Sequence, residues 1–182
     1  MAKLISGTYG EALFELAVEE DRLDSLAEEI RSLQQILSEN KDLDKLMNHP
    51  KISKDEKLQV MENIFKEKIS EELMGLLSIM IMKDRYRELD SVLDYFLNRV
   101  KEVKGIGVAY VTTVSGLSDV QKEQIVAKLL ATTGYRQMEM HYQEDQSLIG
   151  GMMIRIGDRI VDSSIRTKLE ELQKQLMKIQ LG

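Results

Sequence analysis

The sequence has no cysteine and no tryptophan, a single proline (Pro50), two histidines and three phenylalanines among its 182 residues. Without cysteine there is no disulfide, no thiolate nucleophile and no sulfur-liganded zinc, a composition that fits a reducing compartment. His49 precedes Pro50 at what reads as a helix end, and His141 lies in an alternating segment beside Tyr142. Neither stands at a spacing that would join it to a nucleophile or to metal-binding carboxylates. No GxxxxGK[ST] loop occurs, and Gly105-Ile106-Gly107 lacks the third glycine of the dinucleotide fingerprint. So few aromatics argue against an aromatic-lined cofactor pocket. The expectation is a chain with no catalytic residues, no cofactor and no metal, built for binding or for structure.

An excess of positive charge is also missing. Lys plus Arg number 25 against 31 Asp plus Glu, for a net charge of −6. All of that excess lies before Gly105, and the remainder is neutral. Neither part offers a basic surface for a phosphate backbone, which argues against nucleic-acid binding. The longest apolar stretch, Gly75 to Met82 with Ser78 inside it, falls far short of the roughly 20 residues of a membrane span. The N-terminus shows neither the apolar core of a signal peptide nor an Arg/Ser-rich transit character. Direct membrane insertion is therefore not expected.

What is present is material for a core and a solvated surface: 43% hydrophobic and 31% charged residues, which excludes a disordered chain. Up to Gly105 the pattern is helical. Ile5, Tyr9, Ala12, Leu13, Leu16 and Ala17 recur at three- and four-residue steps from Lys3 to Glu20, and a second stripe runs through Leu23, Leu26, Ala27, Ile30, Leu33, Ile36 and Leu37. A short element around Leu43 to Met47 stops at His49-Pro50. Ser53-Lys54-Asp55-Glu56 is a capping box opening a helix with Leu58, Met61, Ile64 and Phe65. Ser70-Glu71-Glu72 opens the next, which reaches Met82, and the last of the series runs from about Tyr86 to Gly105. Short connections imply an antiparallel bundle of five or six helices over residues 1–105.

At Gly105 the period changes from 3.6 to 2. Val108 to Val114 reads as a β-branched strand, and Ser118 to Gln121 as a second capping box before a helix that stops near Gly134. Residues 136–142 alternate. Met152 to Ile156 and Arg159 to Val161 form a hairpin across Gly157-Asp158, and Asp162-Ser163-Ser164 caps a final helix through Ile165, Leu169, Leu172, Leu176 and Ile179. The fold class expected is thus α + α/β, a helical bundle and then, over 106–182, a small α/β domain of about four strands and two helices.

Glu71 to Met82 is apolar nearly all round, whereas a bundle helix needs an apolar arc of a little over 100°. Either it is buried on every side, or its methionine-rich surplus receives another protein's helix. Phe14 and Val18 offer the first helix a weaker surplus. Arg155, Asp158, Arg159, Asp162, Ser163 and Arg166 invite a different reading, an enzyme binding an anion near the three arginines, but no His or Lys base accompanies them. A turn, a helix cap and solvated arginines explain the same residues. A generic helical adaptor would account for the first half alone.

Gly150-Gly151-Met-Met-Ile-Arg-Ile-Gly157-Asp158-Arg159-Ile-Val-Asp162-Ser-Ser164-Ile-Arg166-Thr-Lys-Leu169-Glu-Glu-Leu172 closely resembles the C-terminal signature of the ATP synthase delta subunit family. The mitochondrial member of that family is the oligomycin sensitivity-conferring protein. Tyr9-Gly10-Glu11-Ala12-Leu13-Phe14-Glu15-Leu16-Ala17 is similar to the family's opening motif, except that Gly10 replaces the usual alanine, with an expected cost near 1 kcal/mol and looser packing there. The resemblance implies a stator component without catalytic chemistry. In that family the helical domain binds the N-terminal helix of an alpha subunit in a groove between its first and fifth helices. The C-terminal domain holds the ends of the b subunits, with one copy per complex. The resemblance places Tyr9, Ala12, Leu13, Leu76, Ile79 and Met80 on that groove and leaves Leu16 and Leu77 to the core. It further implies a peripheral protein on the cytoplasmic face of a bacterial plasma membrane.

Overall fold

The computed structural model describes residues 2–163, 165 and 167–169, and the chain divides into two compact units, Met1–Lys101 and Glu102–Gly182. The first is helical: α1 (Ala2–Glu19), α2 (Leu23–Glu39), α3 (Lys41–Met47), α4 (Lys54–Phe65) and α5 (Glu71–Met82). A 3₁₀ turn at Tyr86–Glu88 then leads into α6 (Leu89–Lys104). The Ser53 box forms as expected: the hydroxyl accepts the Glu56 amide while the Glu56 carboxylate accepts the Ser53 amide at 2.9 Å. That backbone bond holds the Glu56 carboxyl below the usual range. At α5 the expected serine cap is absent: the Ser70 hydroxyl caps nothing, and its amide donates to Glu29 Oε2 at 3.0 Å.

Two helices end alike. After α1, Asp21 takes φ +54° and the Arg22 amide reaches back to the Ala17 carbonyl at 2.8 Å; after α5, Asp84 takes φ +55° and the Arg85 amide reaches Met80 at 2.8 Å. These six-to-one bonds close the last turn with aspartate in the left-handed conformation, which it tolerates better than most residues.

The core of this unit is built from Ile30, Leu33, Met61, Phe65, Leu77, Leu93 and Phe96, all with 2% exposure or less. Phe14 belongs to it as well, edge-on to Phe96 at 6.1 Å, so the surplus assigned to it from the sequence does not exist. Looser packing at Gly10 is likewise corrected. A Cβ there would stand 2.5 Å from Tyr95 Cδ1, so the glycine is the notch into which the Tyr95 ring fits. The Tyr95 hydroxyl donates to Glu11 at 2.7 Å, and Arg99 donates to both oxygens of the same carboxylate.

The second unit carries a four-stranded sheet ordered β2-β1-β3-β4, formed by β1 (Ile106–Thr113), β2 (Gln137–Glu144), β3 (Met152–Ile156) and β4 (Arg159–Asp162). β1 and β2 are parallel and joined through α7 (Asp119–Thr133); β3 and β4 form the hairpin predicted at Gly157-Asp158. The Ser118 capping box is complete, and Gly134 ends α7 at φ +74°. Strand alternation puts Ala109, Val111, Ile154 and Ile156 on the face toward α7. The other face carries His141, Tyr110 and Arg155 in one row. His141 stacks on Tyr110 at 4.8 Å, and Arg155 lies over the same ring at 4.6 Å. Backbone at Ile165 and at 167–169 is helical; Leu172, Leu176 and Ile179 of the expected final helix lie outside the described residues.

Candidate partner-binding groove

α1 and α5 run antiparallel, side by side. At one end Arg22, just past α1, meets Glu72 in the first turn of α5 at 2.6 Å; at the other Arg85, just past α5, stands over the Tyr9 ring of α1 at 5.8 Å. Between these ends apolar side chains on both helices keep solvent-exposed surface. Tyr9 and Leu16 are half-buried, Ala12 is exposed, and Ile79 leaves 47% of its surface in solvent. Leaving an isoleucine in water to that extent forfeits about 1 kcal/mol, half of what full burial would contribute.

The six residues assigned to the groove from the sequence differ in exposure. Ala12 and Ile79 are open and Tyr9 is partly so, while Leu13 and Leu76 keep only a sliver of surface. Met80 has none and is a core residue. The reason is geometric: one residue further along a helix turns the side chain by about 100°, enough to carry Met80 from the lip beside Ile79 to the middle of the bundle. Leu77 is in the core as expected, whereas Leu16, also assigned there, is half-buried.

The groove's Arg22 end is charged, a feature absent from the sequence reading. Arg22 Nη1 donates to Glu72 Oε1 at 2.6 Å and stands 3.8 Å from Glu20, and Nη2 donates to Glu29 at 3.4 Å. The hydrogen bond to Glu72 holds the Glu20 carboxyl above the usual range, with burial and the Glu72 charge adding to it. Glu72 is held below the range, chiefly by the α5 backbone amide. Glu72 Oε2 is buried without a hydrogen-bond partner. The signal available in sequence was the dipeptide Asp-Arg, repeated one residue beyond the end of each of the two helices as Asp21-Arg22 and Asp84-Arg85.

Arg155 and Arg159 of the enzyme reading do not converge. Arg155 pairs with Ile160 and Ile156 with Arg159, so alternation sends Arg155 and Arg159 to opposite faces of the sheet. Arg166 lies outside the described residues. A cleft of about 1050 Å³ opens between α7 and the β3–β4 hairpin, but its lining is mainly apolar, including Ile125, Leu129, Met152, Ile154 and Val161. His141 is committed to Tyr110 and Glu139, and among the described residues no cluster of His, Asp or Glu is arranged to hold a metal.

A family model described as ATP synthase delta (OSCP) subunit matches residues 5–176. The chain belongs to the ATP synthase delta (OSCP) subunit family. It is 55% identical over 182 residues to the ATP synthase subunit delta of Lachnoclostridium phytofermentans, covering 100% of both chains. The subunit delta of Shouchella clausii is 31% identical over 96% of this chain and 97% of its own. The fold also matches a chain in the cryo-EM structure of the Toxoplasma gondii mitochondrial ATP synthase hexamer, with a TM-score of 0.73 and 20% identity over 94% of this chain and 97% of that one. As a delta/OSCP subunit it is a structural, non-catalytic component of the ATP synthase, a peripheral-stalk subunit of a membrane-bound complex. Among the described residues no helix is long and apolar enough to cross a membrane.

Proposed function

We propose that this delta-family subunit couples two partners of the synthase, taking the N-terminal helix of an alpha subunit into the α1–α5 groove and the C-terminal ends of the b subunits on its second unit. One copy then links the catalytic head to the stalk on the cytoplasmic face of a bacterial plasma membrane. The observation that carries the reading is an antiparallel helix pair, joined at its ends by Arg22–Glu72 and Arg85–Tyr9, on which Ile79 and Ala12 are exposed and Tyr9 and Leu16 half-buried. An amphipathic helix laid along such a pair buries its own apolar face together with theirs. At the second unit, the β3–β4 hairpin and the segment that follows it are the elements proposed to meet the b subunits, with Ile160 and Val161 as exposed apolar contacts.

Calorimetric titration of the full chain with a peptide of the alpha subunit's N-terminal helix tests the groove. Saturable one-to-one binding is expected. Ile79→Ala should weaken it by about 1 kcal/mol, near fivefold, and Ile79→Asp should abolish it with the circular dichroism unchanged, because an unpaired charge would be buried. A folded wild-type chain that does not bind the peptide would overturn the reading. For the second unit, crosslinks from the b subunits confined to residues 1–101 would do the same.

A further inference from the structure

We infer that Arg22 is a positioning residue for the α1–α5 groove: through its ion pairs it sets the separation of the two walls. The inference rests on the groove reading above. Arg22 lies where the chain leaving α1 meets the start of α5. Its two terminal nitrogens divide between carboxylates on different helices, Nη1 to Glu72 of α5 at 2.6 Å and Nη2 to Glu29 of α2 at 3.4 Å. Glu29 then accepts the amide of Ser70, the residue that opens α5, at 3.0 Å. The result is a closed circuit, α1 corner to α5 to α2 and back through the guanidinium. A planar fork can hold two carboxylates in fixed directions, whereas an ammonium cannot. The α1 corner is itself held, because the Arg22 amide is tied to Ala17 and Asp21 is in the left-handed conformation. The partly exposed side chains lower on the two helices, such as Leu16 and Ile79, are apolar, and apolar contact resists separation but specifies distance poorly. The brace supplies the distance.

The test uses the whole chain, whose lack of cysteine lets spin labels be placed only at Glu15→Cys and Glu71→Cys, exposed positions on the two walls near the brace. Electron–electron distance measurements should give a narrow distribution for the parent and a broadened or shifted one for both Arg22→Gln and Arg22→Lys. In parallel, affinity for the alpha-subunit helix peptide is measured at a temperature where every variant is fully folded. If the variants hold the correct width about one-tenth of the time, affinity falls about tenfold. Unchanged distances in both variants would overturn the inference, as would changed distances with unchanged affinity. Full restoration by lysine would reduce the role to bare charge and overturn it too. Should the parent chain fail to bind the peptide, the groove reading fails, while the distance data still judge the brace.

Discussion

Gly10 offers the sharpest test of the packing argument. In an exposed helix, glycine to alanine gains about 1 kcal/mol by reducing the freedom of the unfolded chain. Here the added methyl would stand 2.5, 3.0 and 3.1 Å from Cδ1, Cγ and Cβ of Tyr95. The ring cannot simply swing aside, since its hydroxyl is held by Glu11, which is itself gripped by Arg99. Overpacking of this kind costs about 1–3 kcal/mol, so Gly10→Ala should destabilise the helical unit by of order 1 kcal/mol net. For a unit of about 100 residues that is a drop of about 4–8 °C in melting temperature. The assay is thermal and urea unfolding followed by helical circular dichroism, run as a cycle with Tyr95→Ala. With the ring removed, the same Gly10→Ala change should turn stabilising. If Gly10→Ala raises stability while Tyr95 is present, the notch is not real and the reasoning fails.

Asp21→Gly removes the side chain from a left-handed residue at the end of α1 and should stabilise the chain by about 0.5–1 kcal/mol in urea titration. Met80→Ala should cost about 2–5 kcal/mol, as expected for a fully buried methionine, whereas Ile79→Ala, at a side chain already half in solvent, should cost no more than about 1 kcal/mol; similar losses at the two sites would contradict their assignment to core and lip. Tyr86 is raised to about 12, mainly by burial and further by the charges of Asp44 and Asp90. Its stabilising effect is therefore present below the ordinary tyrosine value near 10 and is lost as pH rises from there to about 12. Tyr86→Phe should flatten that part of the stability–pH curve, and an unaltered slope would argue against the buried phenol.

Much of this was legible because local chemistry and global fold agree. The boxes at Ser53 and Ser118 satisfy their orphan amides in the structure as the spacing requires, and Gly105 and Gly134 end their helices at positive φ. Periodicity also located α5 as the helix with surplus apolar surface. It could not divide that surplus: Leu76, Ile79 and Met80 are alike in polarity, and only the positions of neighbouring helices decide that Ile79 is open and Met80 shut. Gly10 misled for the same reason, since its value lies in a ring 85 residues away in the sequence. β1 begins at Ile106, two residues before the predicted start, because Gly107 leaves room for Tyr135 and Met138 and pairs normally in the sheet. The opposed faces of Arg155 and Arg159 follow from the hairpin register, which a sequence count across the turn does not by itself provide.

The Tyr95 ring in the Gly10 notch has a mechanical meaning for a subunit that resists torque. Polar contacts and apolar faces yield gradually when one helix is dragged along another, so they creep under sustained load. A ring set against bare backbone meets the steep repulsive wall of the interatomic potential within a few tenths of an ångström. α1 is thereby keyed to α6 like a tooth in a rack, and axial force on it passes to the rest of the bundle without slip.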